Sequence, residues 1–202
     1  IENANLKSSI MDVTGFALSN IFEYNYGKPV EQNIGIFNFG ASVTNFVVIS
    51  QGEVVFCRDI LVGGANYTNE ISKNLGISAN EAEALKVSAS SKKDVPEEVN
   101  MHIQITTDSI IEEIKNSLDL LNVSTNGLAV SRFYYTGGAS ATFGLIESLN
   151  KSTGVPFEHL NPFRKIQANS KKFSTAFVKQ IGQFAAVSLG LGLRQVDDND
   201  KN

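Results

Sequence analysis

Cysteine is almost missing: Cys57 is the only one in 202 residues. An internal disulfide and a cysteine-rich zinc site are both excluded, and a lone thiol in an apolar strand reads as a small packed hydrophobe in a reducing compartment. Basic charge is short as well, with 17 Lys and Arg against 21 Asp and Glu and a net charge of −4. No basic stripe interleaves with aromatics, so nucleic acid is not an expected partner. The two histidines, His102 and His159, stand apart from any carboxylate or second histidine at a ligand spacing, so neither a zinc site nor a serine triad has support. No run approaches the ~20 consecutive apolar residues of a membrane span, and the opening IENANLKSSI lacks the layout of a signal peptide. A soluble chain without direct membrane insertion is expected. It begins at Ile1 instead of Met, so more sequence is expected before it.

What is present is the composition of a globular protein: 42% hydrophobic and 19% charged residues, 16 Gly and 4 Pro. A chain of this length buries roughly 70% of its unfolded surface, enough for a core without staples. Residues 6 to 13 read as a short strand, and Thr14 is placed to cap a helix that Gly27, Lys28 and Pro29 stop. IGIFNF, VTNFVVIS and EVVFCRDI are β-rich runs separated by Gly40, Ala41 and Ser42 and then by Gln51 and Gly52, the pattern of an antiparallel meander. Helical text runs from about 66 to 75 and ends at Gly76. Ser78 with Glu81 forms a capping box for the next helix, and Pro96 opens the longest one, with Val99, Ile103, Ile110, Ile114, Leu118 and Leu121 on one face. FYYTGG and VPFEHL are strands around the helix LIESLNKSTG. One last helix is expected from about Ser174 to Arg194, with Gly182, Ala185, Ala186 and Gly190 on a small-residue side, followed by a disordered tail. Hairpins first and alternating strands and helices later imply a mixed sheet with helices on its faces.

Two glycine-bearing turns could carry chemistry. In NFGASVTNF, a strand delivers Asn38 to a bend at Gly40, which leaves the amides of Ala41, Ser42 and Val43 free beside the hydroxyl of Thr44 and next to Asn45. Such an amide nest can hold phosphate oxygens. In YYTGGAS, Gly137 and Gly138 bare the backbone beside Ala139, so that a flat ligand can lie against it before the helix near Phe143. Either motif alone is by default an ordinary turn. Glu83 and Lys86, three apart on a helix, would by themselves be an exposed ion pair worth a few tenths of a kcal/mol.

The order of these features resembles the second lobe of the actin, sugar-kinase and heat-shock-chaperone superfamily. GASVTNFVVI, RDILVGGANYTNEI, EAEALK, YYTGGAS, LNPFRKI and AAVSLGLGLR, spread over residues 8 to 196, narrow it: the chain resembles the PilM family, actin-like cytoplasmic proteins of type IV pilus assembly related to the division protein FtsA. The resemblance implies an α/β, actin-like and ribonuclease H-like fold, of which this chain is the second lobe. Residues 1–30 would connect from a first lobe, 31–172 would form the nucleotide-binding lobe with a helical insertion at about 66–124, 173–195 would close back, and 196–202 would be a tail. It further implies ATP or ADP as ligand, with phosphates at residues 38 to 45, ribose near Glu83 and Lys86, and adenosine at Gly137, Gly138, Ala139 and Phe143. Where the superfamily has an Asp that helps hold hydrated Mg²⁺, this chain has Asn38, which supplies no charge. At most slow ATPase activity is therefore expected, with Mg²⁺ left open and no catalytic residue or protein metal ligand assigned. The expected partners are the cytoplasmic N-terminal peptide of PilN, bound mainly by the first lobe, other pilus platform proteins and further copies of the chain. The setting is the cytoplasmic side of the inner membrane, reached through protein partners. An FtsA-like polymerising protein and the nucleotide lobe of a sugar or acetate kinase remain the alternatives.

Overall fold

The computed structural model describes residues 10–194, so the tail and most of the strand expected over 6 to 13 lie outside it; residues 10–13 are not strand. The first helix, α1 (Thr14–Tyr26), has Val13 as its N-cap without a side-chain bond, and Gly27 ends it. Thr14 is inside the first turn instead of capping it. The meander is as read: β1 (Ile34–Phe39) pairs antiparallel with β2 (Thr44–Ser50), and β2 with β3 (Glu53–Ile60). Gln51 and Gly52 both have positive φ, 52° and 79°, as a two-residue hairpin turn requires. Three helices follow: α2 (Gly64–Leu75), α3 (Ala79–Ser90) and α4 (Glu97–Ser124). Gly76 caps α2 in the left-handed conformation, and Ser78 and Glu81 form the capping box of α3. Pro96 is the N-cap of α4, one position outside the helix.

The chain then returns through the sheet. β4 (Arg132–Thr136) lies parallel to β1, α5 (Leu145–Thr153) follows a short 3₁₀ turn over Gly138–Ala141, and β5 (Phe157–His159) is parallel to β4. The strand order is β3-β2-β1-β4-β5. Side chains alternate across the central strands. Phe37, Phe39, Phe46, Val48 and Phe133 join the core that α2 to α5 complete, while Ile34, Ile36, Val47 and Ile49 join the core on the α1 face. A sheet covered on both faces explains why β1 and β2 read as nearly continuous apolar text.

The last helix is in fact two, α6 (Thr175–Ile181), capped by Ser174, and α7 (Ala186–Gly192). The break at 182–185 has a tertiary cause: the carbonyl of Gln183 accepts the N–H of Gly137 at 2.8 Å and the hydroxyl of Thr136 at 3.3 Å. The small-residue side works only in its second half. A side chain at Gly190 would overlap the backbone of Ala17, so glycine there lets α7 lie directly on α1, whereas Gly182 faces its own preceding turn and Phe163.

LNPFRKI also has a structural explanation. Leu160 is fully buried, and Asn25, 1% exposed, donates to the carbonyls of Ile21 (2.9 Å) and Pro162 (3.1 Å) and accepts the N–H of Lys165 (2.8 Å). The motif ties the segment after β5 to α1. Asn25→Ala leaves the Pro162 carbonyl and the Lys165 N–H without their partner, and urea unfolding is expected to show a loss of about 2–4 kcal/mol.

Candidate functional site

At the carboxyl ends of β1 and β4, the two glycine turns open onto one cavity of about 890 Å³, whose lining includes Asn38, Gly40, Ala41, Gly137, Gly138 and Ala139. That volume suits a small ligand. Glycine is needed for the convergence. A Cβ at Gly63 would stand 2.5 Å from the carbonyl oxygen of Gly40 and 2.6 Å from that of Ala41. Those same carbonyls accept the first amides of α2, from Gly64 at 3.0 Å and Ala65 at 2.7 Å. With its carbonyls turned to α2, the bend keeps the N–H groups of Ala41 and Ser42 without an acceptor among the described residues. These are the free donors that an anion needs. Val43 instead closes the bend, its carbonyl accepting the N–H of Gly40 at 3.0 Å.

α2 and α3 supply the polar wall. Lys86 is 8% exposed, and its ammonium donates to Gly64 O (3.1 Å), Thr68 Oγ1 (3.0 Å) and Glu83 Oε2 (2.6 Å). Thr68 Oγ1 lies 2.5 Å from the same carboxylate oxygen. The pair is exposed at its carboxylate end only: the Glu83 side chain is 49% accessible and that of Lys86 11%. The three donors of Lys86 are all used inside the protein, so Lys86 positions Glu83, a lining residue whose Oε1 has no donor among the described residues. Burial pushes the Glu83 carboxyl up, but the hydrogen bonds of Lys86 and Thr68 and the charge of Lys86 outweigh it, and the group sits below its ordinary value of 4.5. A depressed carboxylate stabilises the fold above its unfolded pKa and loses that contribution as pH falls through the folded one. The difference in urea midpoint between the wild type and Glu83→Gln is thus expected to be constant near neutrality and to shrink below about pH 4.5.

Asn38 is held by a ladder across three strands: its Nδ2 donates to Asn45 Oδ1 at 2.8 Å, and Asn45 Nδ2 donates to Asp59 Oδ1 at 2.7 Å. Asn38 therefore presents its carbonyl oxygen at the cavity end of β1. The remaining residues anticipated from the sequence are placed elsewhere. Ser42, Val43, Thr44, Asn45 and Phe143 are not in the cavity lining. Thr44 is fully buried with its hydroxyl on the carbonyl of Val62 (2.8 Å), Asn45 serves Asn38, and the amide of Phe143 donates to Ser90 Oγ on α3. Sequence reasoning missed Gln183 and Phe184. The break between α6 and α7 places Phe184, 62% exposed, at the cavity mouth against Gly138, where an added Cβ would be 2.5 Å from the ring. Gly182 in GQFAA was the one signal that could have marked the break.

A mixed five-stranded sheet in this strand order with helices on both faces is an actin-like fold. Three solved structures are similar in this sense: a PilM–PilN type IV pilus biogenesis complex (24% identity, TM-score 0.84, 96% of this chain covered), the ethanolamine utilization protein EutJ from Carboxydothermus hydrogenoformans (16%, 0.58, 88%) and MreB5 of Spiroplasma citri bound to ADP (16%, 0.61, 89%). This chain spans 55%, 53% and 64% of those proteins' lengths. The model of the family described as type IV pilus assembly protein PilM matches residues 1–196, and the chain belongs to that family.

Proposed function

We propose that this chain is the nucleotide-holding lobe of a pilus assembly scaffold, with ATP or ADP in the cavity. One observation carries the reading: Gly40 and Ala41 of the anion-ready bend and the bare turn at Gly137 to Ala139 line one cavity, with Glu83 in its wall and the Ser42 amide next to that lining. Phosphate oxygens would accept the amides of Ala41 and Ser42, ribose hydroxyls would donate to Glu83, and the base would lie along Ala139, beside Gly138 and the Phe184 ring packed on that glycine. That MreB5 was solved with ADP supports a nucleotide on this fold. Asn38 offers a companion Mg²⁺ a neutral oxygen that can accept from a metal-bound water. The ion would be held chiefly by nucleotide phosphates and water.

Residues 1–30 and 173–195 would join this lobe to the remainder of the intact protein, and 31–172 would be the lobe itself. Nucleotide that fits the joined lobes better in one arrangement would shift the population towards it. The partner reading, the cytoplasmic N-terminal peptide of PilN, rests on the similar PilM–PilN complex. The contacting residues are expected outside this chain. Titrating ATP with Mg²⁺ into the intact protein and into Phe184→Ala and Gly138→Asp variants tests the base position. A loss of about 3–10-fold is expected for Phe184→Ala, the range of one stacked aromatic contact. Unchanged affinity in both variants would remove the adenosine assignment.

A further inference from the structure

Contrary to the expectation of no basic stripe among aromatics, the chain between Glu158 and Asp197 carries six Lys and Arg, four Phe and no acidic residue, against a net charge of −4 overall. This basic stretch includes α6, which buries none of its residues. Phe173 and Phe177 are 44% and 42% exposed, with ring centroids stacked 5.7 Å apart, and Lys171, Lys172 and Lys179 stand exposed around them. No ion pair among the described residues involves these lysines or Arg164 and Lys165. Nothing among the described residues covers the two rings, and exposed aromatics grouped in this way mark an interaction surface.

We propose that the face formed by Lys171, Lys172, Phe173, Phe177 and Lys179 binds an anionic phospholipid surface. The lysines meet the lipid phosphates while the two rings sink to the boundary between headgroups and acyl chains. Paired aromatics flanked by unpaired cations suit this occupant better than an acidic peptide, because the rings protrude and line no groove for a chain. Contact of this kind needs no spanning helix, and none of the described helices is long and apolar enough to cross a membrane. It would also give the chain a second hold on the membrane beside any protein partner.

The test uses the intact protein and vesicles of phosphatidylglycerol with phosphatidylethanolamine, compared with phosphatidylcholine alone. Flotation is expected with the anionic vesicles only and is expected to weaken as salt is raised. Reversing Lys171, Lys172 and Lys179 to Glu is expected to cost at least about 100-fold in vesicle affinity, since each cation near such a surface contributes about fivefold. A Phe173→Ser, Phe177→Ser pair is expected to lose binding too, while nucleotide affinity and helical circular dichroism stay as in the wild type. With no Trp in this sequence, Phe177→Trp reports the environment: its emission is expected to shift blue only when anionic vesicles are added. The proposal is overturned by absent flotation at low salt, by equal binding to phosphatidylcholine, by flotation that survives charge reversal, or by blue-shifted emission before lipid is added. That last result would mean that another part of the protein covers the face, and capture by an acidic protein without any vesicle binding would count against it equally.

Discussion

Replacing Gly137 by Ala is expected to cost about 3–5 kcal/mol in folding stability and to abolish nucleotide binding at the temperatures where the wild type binds. Two effects add at this position. Its φ of 93° and ψ of 149° lie in a region that only glycine enters readily, and a Cβ there would press on the backbone of Phe39 and stand 2.7 Å from Asn38 Oδ1. β1 and β4 are neighbours in the sheet, so the clash cannot be relieved without opening the centre of the molecule. Gly27 separates the two effects. Its φ is 92°, yet a Cβ there meets nothing within 4 Å. Gly27→Ala should therefore show the conformational term alone, about 1–2 kcal/mol. Urea unfolding of the two variants measures both, and equal losses would mean that the close approach of Gly137 to β1 contributes nothing.

Ala41→Asp is expected to leave the fold intact and to weaken ADP or ATP binding by at least about 100-fold, or about 2.7 kcal/mol. Ala41 is exposed on the hairpin bend, so the new carboxylate is hydrated in the free protein and costs little there. It would stand where the phosphates are proposed to sit, and two like charges brought together in a partly closed cavity repel strongly. Ala41→Ser, of similar size and without charge, is the control and should bind within a few-fold of the wild type. Calorimetric titration of the intact protein distinguishes these outcomes. Equal binding by Ala41→Asp would move the phosphates away from the bend.

The features legible in the sequence are those determined by residues near one another in the chain. The Gln51–Gly52 turn, the left-handed cap at Gly76 and the capping box of Ser78 and Glu81 each depend on a few adjacent residues, and each forms as read. The pattern failed where a distant partner decided the outcome. The text from Ser174 to Arg194 is acceptable as one helix until the amide of Gly137 takes the carbonyl of Gln183 and breaks it. Thr44 has a hydroxyl suited to a phosphate site, yet the carbonyl of Val62, eighteen residues on, claims it. Glu83 and Lys86 were visible as a pair. Their division of labour was not, because the groups that occupy Lys86, Gly64 O and Thr68 Oγ1, belong to another helix. Likewise, the family-specific LNPFRKI string turned out to tie α1 to the segment after β5 and does not line the cavity.

Backbone amide shifts of the isotopically labelled intact protein, recorded with ADP, with inorganic phosphate and with adenosine, test most directly whether both bends hold one ligand. Phosphate alone is expected to move Ala41 and Ser42, adenosine alone to move Gly138 and Ala139, and ADP to move all four together at a single affinity tighter than either fragment's. ADP that perturbs only one of the two turns, or neither, would contradict the account.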